Sequence, residues 1–139
     1  MMTLDTNVLS ELMRKVPEKR VVDWLSLQPQ AQLVITAITA SEILYGIAKL
    51  AQGKRQMALR AAFTAMLDED FQGRVIPFDH AAAIRYADVV STRERIGRPI
   101  HMADAQIAAI CLAHGSALVT RNTKDFSGIG LSVLNPWST

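Results

Sequence analysis

Short β-branched runs alternate along this chain with longer stretches of helical period, and polar residues cluster where one kind of segment gives way to the next. Residues 2–5 read as a first strand, followed by a helix in which Val8, Leu9 and Leu12 share one face. The basic, proline-containing RKVPEKR interrupts that helix, and Val21, Val22 and Leu25 mark a second short one before QPQ. LVIT at 33–36 is a second strand, after which Ile43, Leu44, Ile47 and Leu50 recur at helical spacing until Gly53 stops them. Residues 56–70 repeat the helical period through Leu59, Ala62, Phe63, Met66 and Leu67. RVIPF at 74–78 is a third strand, which Pro77 places near a sheet edge. Residues 80–95 are helical with Ala83, Ile84, Ala87 and Val90 turned inward, and GRP at 97–99 ends them. A further helix runs from about Ala103 to His114 and stops at Gly115, a left-handed cap. ALVT at 117–120 and LSVL at 131–134 are a fourth and a fifth strand. Nearly every connection between strands contains helix, so parallel pairing is favoured over hairpins and the class is α/β.

Length and composition narrow the picture. With 139 residues, half of them hydrophobic, residues 1–139 are expected to form one folded domain with a substantial core. MMTLDTN runs directly into a strand with no basic leader, and no apolar run reaches the roughly 18 residues of a membrane span, so a soluble cytoplasmic protein is expected. The single cysteine, Cys111, sits in IAAICLA and reads as a buried thiol in a reducing compartment.

Candidate chemistry lies in four acids. Asp5, Glu42, Asp104 and Asp125 stand in TLDTNVLSEL, VITAITASEILYG, IHMADAQIAAI and ALVTRNTKDF, each where an apolar element meets a turn or a helix. Every one has a structural alternative. Asp5 can cap the helix that follows, and Thr39-Ala40-Ser41-Glu42 has the form of a capping box in which Glu42 reaches back to the Thr39 N–H. Asp104 can meet the positive end of a helix dipole, and Asp125 can close a turn begun at Asn122 or Thr123. Capping does not explain why three such acids follow strands that, paired in parallel, would set them along one edge of the sheet. In open α/β sheets ligands bind at that edge. Carboxylates brought together there must be relieved by protons or a cation, and oxygen ligands suit a hard ion such as Mg²⁺. Thr6, Asn7, Thr120 and Asn122 supply neutral hydroxyls and amides beside the acids, suited to orienting waters and carboxylates.

The formal net charge is only +2, yet with those four set aside fifteen Lys and Arg face the nine acids left of thirteen. A negative pit in a basic surround suits a polyanionic substrate. Competing chemistries lack parts: His80, His101 and His114 have no i, i+4 zinc spacing, and no GxSxG elbow, Walker A loop or GxGxxG fingerprint occurs. Two Trp and two Tyr do not make a base-stacking platform.

The four motifs LDTNVLSEL, ITASEILYGI, MADAQIAA and LVTRNTKDF, in this order over essentially the whole chain, resemble the PIN-domain ribonucleases, and among them the VapC toxins of toxin–antitoxin pairs. PFD and the terminal NPW look most like the FitB-type branch. The resemblance implies a three-layer α/β/α sandwich with a central, mainly parallel sheet of four to five strands. It also implies Mg²⁺ or Mn²⁺ in an acidic pocket, and hydrolysis of single-stranded or loop RNA, transfer RNA included, to 5′-phosphate and 3′-hydroxyl ends. By position Asp5 and Asp104 match the main metal ligands and Glu42 the third acid. Where many relatives have a fourth acid this chain has Asn122, so Asp125 is expected to act through water, with Asn122 as the alternative contact. Thr120 matches the hydroxyl that supports the pocket. A homodimer, a VapB- or FitA-type antitoxin and a larger complex on operator DNA are implied as partners. Two other readings stay open: a PIN-like module that binds RNA or protein without cutting, and a structure-specific DNA nuclease.

Overall fold

The computed structural model describes residues 1–138. Among them five short strands, β1 (Met2–Leu4), β2 (Leu33–Thr36), β3 (Val75–Ile76), β4 (Ala117–Val119) and β5 (Val133–Leu134), stand in the order β3-β2-β1-β4-β5. Each neighbouring pair is parallel. Six α-helices accompany these strands among the described residues: α1 (Thr6–Leu12), α2 (Lys19–Ser26), α3 (Ala37–Ala48), α4 (Lys54–Glu69), α5 (His80–Arg95) and α6 (Met102–His114). Two 3-10 turns, Gln30–Gln32 and Thr123–Phe126, complete the elements.

The strands are short and almost wholly apolar because both faces of the sheet are covered. Leu4, Ile35 and Val119 point to one side, into a core completed by Val8, Leu9, Val21, Ile43 and Phe63 of α1 to α4. Leu118, one residue out of phase, points the other way, where Val89, Ile107, Ala108 and Phe126 enclose it. The result is a three-layer α/β/α sandwich with a five-stranded parallel sheet. Pro77 follows β3, and β3 is an edge strand, as the proline requires. Strand order runs outward from β1 in both directions, so β1 and β4 flank the point where it reverses. The crevice outside their carboxyl ends is the place where such sheets accept ligands.

Several boundaries and faces differ from those expected. The strands expected at 2–5, 117–120, 74–78 and 131–134 are shorter: Asp5 and Thr120 stand just past β1 and β4, each still donating one backbone bond to the neighbouring strand, and Pro77 ends β3. Gly53 does not stop α3, which ends at Ala48. There Gln56 Nε2 satisfies freed carbonyls, donating to Ile47 O at 3.0 Å and Leu50 O at 3.2 Å, while Gly53 stands just before α4. On α5 the inward face is Ala82, Val89 and Arg93, with Ile84 and Ala87 exposed. Val90 packs against the core around Val89 as expected, whereas Ile84 and Ala87 were misplaced because the face includes a buried cation: Arg93 Nε donates to Arg98 O at 2.6 Å and its Nη1 to Ser127 O at 2.8 Å. Leu44 and Ala62 are likewise exposed, since α3 and α4 each bury only a narrow stripe.

Candidate active site

Asp5 follows β1 directly. Its backbone N–H still joins the sheet, donating to Val119 O at 2.9 Å, and its side chain caps α1 by accepting from Thr6 N at 2.8 Å. The other carboxylate oxygen accepts from Thr120 Oγ1 at 2.7 Å and from Asn7 Nδ2 at 3.4 Å. Thr120, at the end of β4 and fully buried, is saturated: it donates to Asp5 and accepts from Asn7 Nδ2 and from the Asn122 N–H, both at 3.1 Å. Asn7 Oδ1 in turn accepts from the Arg121 N–H at 3.3 Å. Thus the ends of β1 and β4 are stitched together around one carboxylate, whose orientation is set in advance.

Glu42 lies well inside α3 and is solvent-exposed. The cap of α3 is Thr36, whose hydroxyl accepts from Thr39 N at 3.0 Å, so the capping-box alternative for Glu42 does not hold. Instead Glu42 Oε1 accepts from Thr6 Oγ1 at 2.7 Å, and Thr6 also lies 3.1 Å from the Thr39 hydroxyl. Asp104 is in the first turn of α6, half-buried. Asp125 is exposed in the second 3-10 turn, its N–H donating to Asn122 O at 3.1 Å.

Electrostatics tie the four together. Burial raises the pKa of Asp104 to about 6, and the negative charges of Asp5, Asp125 and Glu42 push it the same way, while His101 opposes them. Asp5 is also raised, chiefly by burial, although its bonds from Thr120 and Thr6 pull it down and Glu42 and Asp125 push it up. Among the described residues the ion pairs are Arg14–Glu11 and Lys19–Asp23, and neither involves the four acids.

An open pocket of about 550 Å³ is lined by Asp5, Thr6, Asn7, Glu42, Asp104 and Asn122. Asp125 is not among its lining residues, although its charge acts on both Asp104 and Asp5. Ser10, Glu11, Arg14, Arg121 and Trp137 complete the lining and were not singled out as site residues in the sequence. Glu11 differs from the other acids because its charge is compensated: the Glu18 N–H, bonded at 3.0 Å, lowers its pKa first, and Arg14 and Arg121 add to this. For Trp137 the terminal NPW was the only signal, and for Arg121 its place next to Thr120.

Among the described residues no three His, Cys, Asp or Glu side chains converge tightly enough to enclose an ion by themselves. The donors facing the pocket are nonetheless carboxylate, hydroxyl and amide oxygens, and among the described residues Asp5, Glu42 and Asp104 have no ion pair. That set fits Mg²⁺ or Mn²⁺, ions that take one or two carboxylates and keep part of their water shell. The three histidines are exposed. Cys111 is buried with its pKa pushed up to about 12 by burial, which makes it an inert thiol.

A parallel α/β/α sandwich with an acidic pocket at the carboxyl ends of its two central strands defines the class. The chain belongs to the PIN domain family, whose sequence profile matches residues 2–130. It is 38% identical over 137 residues to VapC ribonuclease Y4jK of Sinorhizobium fredii, covering 99% of this chain and 98% of that protein. It is 37% identical over 137 residues to Toxin FitB of Neisseria gonorrhoeae, covering 99% of both chains. The solved structure of FitAB bound to an IR36 DNA fragment superposes with a TM-score of 0.92 at 37% identity, covering 99% of this chain and 96% of that one. The resemblance to the VapC and FitB branch is therefore carried by the sequence and by the fold.

Proposed function

We propose that this chain is the toxin of a toxin–antitoxin pair, a Mg²⁺- or Mn²⁺-dependent endoribonuclease that hydrolyses single-stranded or loop RNA. The observation that carries the reading is the pocket itself: Asp5, Glu42 and Asp104 line one cavity at the sheet's carboxyl edge, with no ion pair to any of them among the described residues. The names of the relatives, a VapC ribonuclease and a toxin, point the same way.

Asp5 and Asp104 would hold the cation, with Glu42 and Asp125 acting through water and Asn122 as an alternative contact. When bound, the ion lowers the pKa of a water and offsets charge on the phosphoryl oxygens. Thr120 and the Thr6 N–H fix Asp5 in position, so little reorganisation is needed when a ligand arrives. Glu42 is steadied through Oε1 by Thr6, which leaves Oε2 to orient or deprotonate the attacking water. Attack by water rather than by the ribose 2′-hydroxyl leaves 5′-phosphate and 3′-hydroxyl ends.

Incubation of the purified chain with RNA and DNA, with Mg²⁺, Mn²⁺ or EDTA, tests the reading. RNA cut only with metal supports it, DNA cut in preference supports a DNA nuclease, and RNA bound without cutting supports a binding module. Cyclic phosphate ends, or full activity in EDTA, would contradict the mechanism. Among the described residues no helix is long and apolar enough to cross a membrane, and a cytoplasmic site of action is part of the proposal. So are a homodimer and a VapB- or FitA-type antitoxin, since the similar FitAB structure is a complex on DNA. Co-expression with the adjacent reading frame tests the partner: a stable complex that silences cleavage is expected.

A further inference from the structure

The acidic pocket has a second wall of opposite character. Arg121 follows Thr120, is exposed, and holds its guanidinium carbon 5.2 Å from the centroid of the Trp137 ring. Trp137 is itself tied down: its N–H donates to Asn135 Oδ1 at 2.9 Å, its carbonyl accepts from Arg20 Nη1 at 2.7 Å, and its ring packs on the core under α1 to α4. Both residues line the pocket that contains Asp5, Glu42 and Asp104. The neighbouring cation on that wall, Arg14, is paired with Glu11 at 3.1 Å, whereas among the described residues Arg121 has no ion pair.

A guanidinium over an aromatic face is held there by cation–π attraction while it stays open to solvent. The ring restrains the Arg121 head at the pocket wall, and a guanidinium so held can donate two N–H groups to the oxygens of a phosphate. The backbone N–H of Arg121 meanwhile bonds Asn7, whose amide contacts Asp5 and Thr120, so the cation and the carboxylates are held in one frame.

We propose that Arg121, presented by Trp137, binds a backbone phosphate of single-stranded RNA adjacent to the one cleaved. Arg121 is then a substrate-binding residue, and Trp137 a positioning residue that acts through it. This rests on the ribonuclease reading. It also explains how a polyanion enters a pocket lined by carboxylates: the strand is held by the cationic wall while the scissile phosphate faces the acidic one.

The test uses the full chain carrying Asp104→Asn, so that a fluorescein-labelled single-stranded RNA is bound and not cut, with affinity measured from 50 to 200 mM salt. Adding Arg121→Ala is expected to weaken binding roughly tenfold at low salt. It should also reduce the slope of log K against log salt by about 0.7, the share of one phosphate contact on a single strand. Arg121→Lys should keep the slope and lose part of the affinity. Trp137→Ala should weaken binding with the slope unchanged, and Trp137→Phe should restore most of it. A merely structural role for the stack would lower melting temperature in the Trp137 and Arg121 variants and leave RNA affinity, and the slope in Arg121→Ala, unchanged. Unaltered affinity and slope in Arg121→Ala, with wild-type protein still cutting RNA, would overturn this inference alone. Failure of wild-type protein to cut or bind RNA with either metal would overturn it together with the ribonuclease reading.

Discussion

Asp5 caps α1, extends the ladder to β4 and offers its carboxylate to the pocket, and Thr120 is the residue that makes these roles compatible. Thr120→Val removes the hydroxyl while keeping the shape, leaving the Asn122 N–H without its acceptor and Asn7 Nδ2 with only its 3.4 Å bond to Asp5. We expect it to lower cleavage about 10- to 100-fold, as loss of a group that orients a ligand does. Because the Thr120 bond lowers the Asp5 pKa, the acid limb of the pH–rate profile should also move upward in this variant. An unmoved acid limb would mean that Asp5 does not titrate in that limb.

Asp104 gives a prediction about stability rather than rate. Its folded pKa, about 6, lies above the ordinary value of 3.8, so the native state binds more protons than the unfolded state between those values. Stability in EDTA is therefore lost as pH rises through that window, and the loss persists above it. Asp104→Asn removes it: melting temperature should rise a few degrees, roughly 2–5 °C, at pH 8 and change little at pH 4. Equal gains at both values would show that charge is not the cause. Glu42→Gln is informative in another way. With Thr36 as the cap of α3, Glu42 has no capping role to lose, so a fall in cleavage without a fall in stability is expected.

The helices and strands were largely legible because covered faces impose period: the apolar runs at 33–36 and 117–119 could only be buried strands, and α5 falls at 80–95 as its pattern indicated. What was misread was misread for a physical reason. Thr36 and Thr39 both precede Glu42 with helix-starting chemistry, and local sequence does not say which hydroxyl faces the freed N–H groups. Arg93 was left out of the inward face of α5 because a cation buried against three carbonyls is invisible to a hydropathy pattern. These two elements yield tests by urea denaturation. Thr36→Ala should cost about 1–2 kcal/mol through loss of the cap. Arg93→Met should cost about 3 kcal/mol or more, since it strands the carbonyls of Arg98 and Ser127, removes one of the donors to Lys124 O and loosens the turn that carries Asp125. Loss of stability without any effect on cleavage in the Arg93 variant would separate Asp125 from the chemistry.

Across the molecule, strand order explains why residues 115 positions apart meet. β1 and β4 are sequence-distant neighbours in the sheet, and Asp5 and Thr120 are the residues next after them. The sequence could suggest that the acids share an edge; it could not show that Glu42 is tied to Thr6, that Asp125 lies outside the pocket wall, or that Trp137 closes the opposite wall. Those relations depend on side chains meeting across elements. The central claim is that the carboxylates at this edge cut RNA with a divalent metal. It is tested most directly by incubating wild-type, Asp5→Asn and Asp104→Asn proteins with single-stranded RNA and Mg²⁺ or Mn²⁺, and mapping the ends of the products. Metal-dependent cleavage to 5′-phosphate and 3′-hydroxyl ends by wild-type protein, reduced on the order of a hundredfold or more in both folded variants, is the expected result. Wild-type cleavage rates in either variant would contradict it.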